Sequence, residues 1–540
     1  MAQFINAREN IVIEAIDGLI AASSGKLARL DGFPHIKVVI RADWNKQKVA
    51  LISGGGAGHE PSHAGFVGQG LLTAAICGDV FASPSVDAVL AGILAVTGDA
   101  GCLLIVKNYT GDRLNFGLAA EKARALGKNV DMVIVDDDIA LPDLPQPRGL
   151  AGTLFVHKIA GALADQGADL ATIGKAAREV IAGVSSIGMS LDTCTVPGSE
   201  KEARIPHGKA ELGLGIHGEP GVEQVDFASA KDAIARIAEK LSPKLASGKY
   251  IALLNNLGGT SALEMSVLAH ELLQSRLGAH IGHLIGPSSM MTSLDMRGFS
   301  VSLLPETFEN IAALQHSVSS SHWPVMQEIG AVKIAPMPEG LKPAKPKASA
   351  NDAARAILSL ACQSLIAAQA YLNALDAKSG DGDTGSTLAV AANAILGSLD
   401  DMPLADLALM MRSLGQVLSE SMGGSSGVLL AIFFSAAGDA AATGANLHDA
   451  LMAGLQRLQE IGGAELGDRT MVDALAPALA AMPKGLQQAA DAARKGADHT
   501  ASIVKARSGR ASYVNAAQLA GHNDPGAEAV ARLFAALAKG

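Results

Sequence analysis

A chain of 540 residues with 49% hydrophobic and 18% charged residues carries apolar material for about two to four packed domains, which excludes a disordered chain. A net charge of −10, no block of Lys or Arg and only 3% aromatic residues exclude a nucleic-acid binder built on a basic stripe and stacking rings. The first ten residues lack a secretory pattern, apolar runs such as Val428 to Phe434 fall short of a membrane span, and the four cysteines lack C-x-x-C spacing, so a cytoplasmic enzyme without a zinc site is expected.

From residue 35 to residue 330, short β-branched runs alternate with amphipathic stretches. Lys37 to Ile40, Val49 to Ser53, Cys102 to Lys107, Val130 to Val135, Tyr250 to Leu254 and Ser300 to Leu304 read as buried strands. Ser85 to Val96, Phe227 to Leu241 and Ser261 to Gln274 read as helices between them. The alternation predicts α/β architecture with mostly parallel strands. The Pro- and Gly-rich stretch Thr195 to Ala210 is expected to divide this half into two α/β subdomains.

Three segments of this half carry chemistry. The strand Val49 to Ser53 runs into Gly54-Gly55-Gly56-Ala57-Gly58-His59-Glu60-Pro61. Glycines there let backbone amides approach a ligand at the carboxyl end of a strand, the usual binding edge of α/β sheets. His59 stands where a dinucleotide fingerprint would need its third glycine, so that fingerprint is absent. The strand Cys102 to Lys107 leads into Asn108-Tyr109-Thr110-Gly111-Asp112, and Lys107, Asp112 and His59 are expected to converge at one sheet edge. Further on, Gly213 to Gly221 sets His217 among glycines after an expected strand. A lone histidine is ordinarily structural, but glycine flanks leave this ring accessible.

Ile334 to Ala350 holds four prolines and three lysines without periodicity, and reads as a semi-extended linker. It sets the expected boundaries: an α/β domain over 1–335, a linker over 336–350 and an all-helical domain over 351–540. Helical periodicity runs from Ala353 to Lys505 in about seven or eight stretches, among them Ala353 to Ala374, Val428 to Thr443 and Leu486 to Lys505.

Within the helical half, Asp376, Asp381 and Asp383 fall on one glycine-rich junction before Thr384, Gly385, Ser386 and Thr387. Such crowding of like charge is costly unless a cation neutralises it, and hard carboxylate oxygens suit Mg²⁺ or Ca²⁺. A solvated turn capped by Asp383 is the plain alternative. Met422 to Gly427 places Ser425 and Ser426 among glycines, as a phosphate cradle, a structural turn or a formal G-x-S-x-G match. That last motif needs a preceding strand, where the sequence reads as helix. Gly462 to Met471, the cations Lys505, Arg507 and Arg510, and Asp524-Pro525-Gly526 are further polar clusters, and no Walker motif occurs.

Taken together, ISGGGAGHEPSHAGF, CGDVFASPS, LLIVKNYTGDRLNFG, GIHGEPG, LDAKSGDGDTGST, MGGSSG, GDRTM and GRASY resemble the dihydroxyacetone kinase family in its single-chain, ATP-dependent form. The resemblance covers nearly the whole chain. It implies an α/β substrate-binding domain of two subdomains joined to an all-α helical-barrel nucleotide domain. It implies ATP with a pair of Mg²⁺ ions as cofactors, dihydroxyacetone as acceptor, and a homodimer. By the same resemblance His217 adds covalently to the ketose carbonyl, His59 and Asp112 bind hydroxyls and move protons, and Gly56, Ala57, Gly58 and Lys107 complete the contacts. Asp376, Asp381 and Asp383 match the metal ligands. Thr384, Gly385, Ser386, Thr387, Ser425, Ser426, Gly462, Met471, Arg510, Asp524, Pro525 and Gly526 match the nucleotide surround. The rival expectations are a kinase for a C3–C4 ketose such as erythrulose, cleavage of a flavin nucleotide to a cyclic phosphate, and a ligand-binding regulator. The regulator predicts loss of the Asp trio or of His217, and this sequence keeps both.

Overall fold

The computed structural model describes residues 3–140, 146–338, 346–507 and 510–540, with the side chains of 510, 511 and 517 also outside the description. The chain divides into two units, Met1–Ile334 and Ala335–Gly540. Much of the expected linker, residues 339–345, lies outside the described residues.

The first unit holds two sheets. One contains β1 (Leu27–Arg29), β2 (Val38–Arg41), β3 (Ala50–Ala57), β4 (Ala74–Val80), β5 (Cys102–Lys107) and β6 (Val130–Val135), in the order β1-β2-β4-β3-β5-β6. The other contains β7 (Ser185–Ser190), β8 (Lys209–Leu212), β9 (Glu223–Asp226), β10 (Tyr250–Asn256), β11 (Ile281–Ser288), β12 (Gly298–Pro305) and β13 (Gln327–Glu328), in the order β13-β11-β10-β12-β7-β8-β9. The helices are α1 (Ile11–Ala21), α2 (Val86–Val96), α3 (Thr110–Ala125), α4 (Thr153–Asp165), α5 (Leu170–Gly183), α6 (Ala230–Leu241), α7 (Ala262–Gln274) and α8 (Phe308–Gln315).

Strand alternation builds the layers. Leu51, Leu103 and Ile105 face Leu154, Phe155 and Ile173 of α4 and α5, while Ala50, Ile52, Leu104 and Val106 face Val89, Ile93 and Phe116 of α2 and α3. Ile251 and Leu253 of the second sheet share the α4–α5 core, and Ala252 and Leu254 pack toward Ile237 and Leu272 of α6 and α7. A single pair of helices thus serves two sheets.

Two expectations need correction. The sheets are mixed rather than mostly parallel: β3 pairs parallel with β4 and β5, and β10 with β11, whereas β12 runs antiparallel to both β10 and β7. Parallel pairing needs a crossover element, and β7, β8 and β9 follow one another without a helix between them. The division between sheets also falls earlier than Thr195 to Ala210. It falls at α4 and α5, because β7 precedes that stretch and belongs to the second sheet.

The second unit is all-helical: α9 (Asp352–Ala367), α10 (Gln369–Asp376), α11 (Thr384–Ser398), α12 (Leu407–Ser421), α13 (Gly424–Ala442), α14 (Leu447–Gly462), α15 (Val472–Ala481), α16 (Leu486–Thr500), α17 (Ala516–Leu519) and α18 (Pro525–Leu537). The single helix expected over Ala353 to Ala374 is bent by 52° between α9 and α10. The bend sets α10 against the start of α11, where Gln369 and Asn373 donate to the Ser386 hydroxyl. From α11 to α16 each helix packs on the next, α16 packs on α18, and α18 returns to α9, closing a ring. Connections are short except for residues 501–524, which lead from α16 to α18, and there the Asp524 amide donates to Thr500 Oγ1 at 2.8 Å, so neighbours run antiparallel. Among the described residues α13, and the bent pair α9 and α10 taken together, are long and apolar enough to cross a membrane. The helical span of α13 exceeds the apolar run Val428 to Phe434 because Gly, Ser and Ala extend it, and it packs between α12 and α14.

Candidate active site

The first cluster sits where β3 and β5 end. β3 continues through the glycines to Ala57, further than the apolar run alone predicts. A side chain at Gly54 would collide with the Ile76 carbonyl oxygen, and one at Gly56 would meet the Ala82 amide at 2.7 Å. At Gly55, with φ of +148°, a Cβ would lie 2.9 Å from Lys107 Nζ and 3.4 Å from Asp112 Oδ2. Two opposite charges therefore converge over bare backbone. Both are buried, and Ser83 Oγ donates to Asp112 Oδ1 at 2.5 Å, leaving Oδ2 on the Gly55 side. Burial lowers the pKa of Lys107, and the charge of Asp112 opposes that shift.

His59 lies fully buried beside Phe81, with ring centroids 5.4 Å apart. Its Nδ1 is 2.8 Å from the Thr292 carbonyl oxygen, which only accepts, so Nδ1 carries the hydrogen and Nε2 presents a lone pair. That Nε2 has no hydrogen-bond partner among the described residues. Burial, then the charges of Lys107 and His217, hold His59 well below the usual histidine range, so it is neutral.

His217 follows β8 and packs edge-on against Tyr109 at 4.2 Å and His59 at 4.8 Å between centroids. Its side chain keeps 16% exposure, where His59 has none. Glu219 Oε1 faces Nδ1 at 3.4 Å, and Glu219 Oε2 accepts from the His217 amide at 2.8 Å. Burial alone would raise the Glu219 carboxyl, but the hydrogen bonds and charge of His217 outweigh it and bring the pKa down to about 2. A carboxylate thus stands on the Nδ1 side, and Nε2 remains for a ligand.

His217, His59, Lys107 and Asp112 come together with Gly56 and Ala57 on the adjoining strand. Gly58 does not offer its amide, which donates to Glu60 Oε2 at 2.9 Å. Gly55, Phe81, Ser83 and Tyr109 also line the cluster, although the sequence pattern does not single them out. A signal for three of them is present: Phe81 and Ser83 lie within CGDVFASPS, and Tyr109 lies between Lys107 and Asp112.

The second cluster belongs to the helical unit. One carboxylate oxygen from each of Asp376, Asp381 and Asp383 lies within 4.8 Å of the others. Asp376 is buried, and its Oδ2 accepts backbone N–H groups from Gly382 at 3.1 Å, Asp383 at 3.0 Å and Thr384 at 3.2 Å. A Cβ at Gly380 would collide with Asp376 Oδ1, and Gly382 adopts φ of +80°. The loop is wrapped around one carboxylate while Asp381 and Asp383 stay exposed, and this hard, anionic donor set fits a divalent cation. It sits at the positive end of α11.

In an antiparallel ring, alternate connections share an end. The loops α10–α11, α12–α13, α14–α15 and α16–α18 are such a set, and they carry every nucleotide-surround candidate. Thr384, Gly385, Ser386 and Thr387 form the first turn of α11; Ser425 and Ser426, both exposed, begin α13; Gly462 ends α14; Met471 caps α15; Asp524, Pro525 and Gly526 open α18. A Cβ on Gly462 would meet Leu429 of α13 at 2.9 Å, and one on Gly526 would meet Met471 Cβ at 3.2 Å, so these ends touch. Arg469, 1% exposed, donates from Nη2 to the His522 carbonyl at 2.8 Å and ties two of the loops. Burial raises Asp524 to about 6 against the charge of Arg469. The side chain of Arg510 lies outside the described residues.

An α/β unit with a buried Lys–Asp–His cluster and a helical ring with a carboxylate trio define a two-part enzyme, and its relatives give the family. Residues 17–322 match the Dak1 domain and residues 378–539 the DAK2 domain. The chain belongs to the dihydroxyacetone kinase family. It is 50% identical over 546 residues to a dihydroxyacetone kinase from Citrobacter freundii, with 99% of each chain covered. It is 42% identical over 582 residues to a putative 3,4-dihydroxy-2-butanone kinase from Solanum lycopersicum, covering 99% of this chain and 97% of that one. The crystal structure of the C. freundii dihydroxyacetone kinase in complex with AMP-PNP and Mg²⁺ matches with a TM-score of 0.71 and 47% identity, over 100% of this chain and 99% of that one.

Proposed function

We propose that this enzyme transfers the γ-phosphoryl group of ATP to a hydroxyl of dihydroxyacetone, with His217 holding the ketose as a covalent hemiaminal. The observation that carries the reading is the pairing of an accessible His217 ring with a neutral, partnerless His59 Nε2 beside the Lys107–Asp112 pair.

Glu219 accepts from the Nδ1–H side of His217, which leaves the Nε2 lone pair to attack the carbonyl carbon. A nitrogen–carbon bond forms and the carbonyl π pair moves to oxygen, so the adduct carries an alkoxide, held by hydrogen bonds from the Lys107 ammonium, and an imidazolium, whose Nδ1–H faces the Glu219 carboxylate. Asp112 Oδ2, which Ser83 leaves open, accepts the proton of the hydroxyl that receives phosphate, and His59 Nε2 accepts from the other hydroxyl. Because the bond needs a carbonyl, the site takes ketoses and rejects polyols such as glycerol. In the helical unit Asp376, Asp381 and Asp383 are the ligands for Mg²⁺, which with ATP bridges phosphate oxygens and neutralises the charge of the transferred group. Thr384 to Thr387, Ser425, Ser426, Gly462, Met471, Arg510 and Asp524 to Gly526 surround the nucleotide, the helix N-termini favouring phosphate. A C4 ketose is the second reading, supported by the name of the tomato relative. A cytoplasmic homodimer completes the proposal on the family resemblance, and sedimentation velocity tests the assembly.

The test uses dihydroxyacetone labelled with ¹³C at the carbonyl. A tetrahedral carbon resonance should appear with the parent protein and vanish with His217→Ala, which should also lose discrimination against glycerol. A carbonyl that stays trigonal beside an intact His217 would sink the covalent step, and absence of ATP-dependent turnover with any small ketose would sink the kinase reading.

A further inference from the structure

Behind the residues that face the ketose lies a second polar layer that the reaction above leaves unused. His63 and His157 are buried, with ring planes inclined at 63° and centroids 5.2 Å apart. His63 Nε2 is 2.7 Å from Lys107 Nζ, and His63 Nδ1 is 3.4 Å from Ser53 Oγ.

Counting hydrogens fixes the direction of each bond. The single hydroxyl hydrogen of Ser53 goes to the Ile105 carbonyl oxygen at 2.7 Å. Toward His63, Ser53 Oγ is therefore an acceptor, so Nδ1 carries the ring hydrogen and Nε2 the lone pair. Lys107 is the donor in the 2.7 Å contact. The groups facing Lys107 are Asp112 from α3, His59 and His63 from the segment after β3, and His157 from α4. All three imidazoles are held below the usual histidine range by burial and by Lys107, which agrees with a neutral acceptor at His63.

This contact has a geometric consequence. An ammonium on a four-carbon stem rotates freely and is poorly aimed by itself. Committing one N–H to His63 Nε2 fixes the directions of the other two. Lys107 Nζ and Asp112 Oδ2 both approach the space over Gly55, so that is where the remaining donors act.

We propose that His63 is a positioning residue for the ketose site: its Nε2 lone pair orients the Lys107 ammonium so that the free N–H groups meet the ketose oxygen over Gly55. The inference rests on the ketose-binding reading above. His63 itself touches no substrate. It acts through Lys107, and Ser53 sets its tautomer.

Three variants test the idea. His63→Gln keeps an acceptor at the reach of Nε2, His63→Asn is polar but too short, and His63→Leu fills the volume without an acceptor. Dihydroxyacetone binding is measured by calorimetry without ATP, and steady-state KM and kcat with it. Losing a charge-assisted hydrogen bond that aims a ligand contact should weaken dihydroxyacetone binding about tenfold in the Leu and Asn variants. The Gln variant should stay within about threefold of the parent, and KM for ATP should not move in any of them. Thermal unfolding reports whether each variant folds, and if the Leu variant does not, the Gln and Asn pair decides. Equal weakening in Gln and Asn, or unchanged affinity in Asn, overturns the proposal. A parent protein that binds no dihydroxyacetone overturns the ketose reading and this one with it. A parent that binds while Asn and Leu bind equally well overturns this one alone.

Discussion

The buried histidines make the stability of the α/β unit depend on pH in a way that a single substitution can isolate. His59, His63 and His157 are fully enclosed and held below their unfolded value of 6.5, His157 at about 3, first by burial and then by Lys107. At pH 7 the folded form is unprotonated at these rings and the unfolded form mostly so. Below pH 6.5 the unfolded chain takes up protons that the folded one refuses, so stability falls as pH falls, by about 1.4 kcal/mol per pH unit for each histidine. Three rings together give about 4 kcal/mol per unit. Asp137, pushed up to about 6 by burial, works the other way: its folded form binds a proton below pH 6 and its unfolded form only below 3.8. Glu60 and Asp138 are raised in the same sense, so the net slope between about pH 6 and 4 is smaller than that sum. The difference between two proteins removes this offset. Neither ring nitrogen of His157 has a hydrogen-bond partner among the described residues, so His157→Phe loses none of the bonds described. The variant should lose stability less steeply by about 1.4 kcal/mol per pH unit from about pH 6 to 4. Urea unfolding followed by tryptophan fluorescence measures it, because both tryptophans of the chain, Trp44 and Trp323, belong to the first unit. Parallel pH slopes for variant and parent would refute the reasoning, since His157 would then titrate alike folded and unfolded.

Asp381→Asn should reduce ATP-dependent turnover at least about a hundredfold through lost metal affinity while leaving dihydroxyacetone binding intact; near-normal activity at low Mg²⁺ would remove the metal assignment. Fragments ending near Gly340 and beginning near Ala348 should each melt cooperatively, and mixing them should restore weak turnover. Insoluble fragments would count against that boundary.

How much of the molecule is legible in its residues depends on how locally the information is written. The carboxylate trio is legible because its members occupy one glycine-rich junction, and the strands at β3, β5, β6 and β10 because their apolar, β-branched runs are compact. β7, with the sequence SSIGMS, carries little of that signal, and without it the subdomain division is expected too late in the chain. Strand direction is misread because alternation with helices implies crossovers, whereas β7 to β9 connect without them. His63, and the meeting of charges over Gly55 within an otherwise legible glycine stretch, are silent for another reason. Their roles exist only against Lys107 and Asp112, which are far away in sequence, and nothing in the local pattern separates His63 from an ordinary core histidine.

The helical ring makes parity a constraint on its own history. Each motif proposed to face phosphate is separated from the next by an even number of passages of the chain along the ring, so adding or removing a hairpin of two helices between motifs would keep all of them at the same mouth. Adding or removing a single helix would send every later motif to the opposite mouth, with each motif intact in sequence and none of them able to meet the rest. The connections at the far end, α11–α12, α13–α14 and α15–α16, carry no such burden. Variation in length should collect there, and an engineer wishing to attach a label or a second domain to this unit has three places where the chemistry is out of reach.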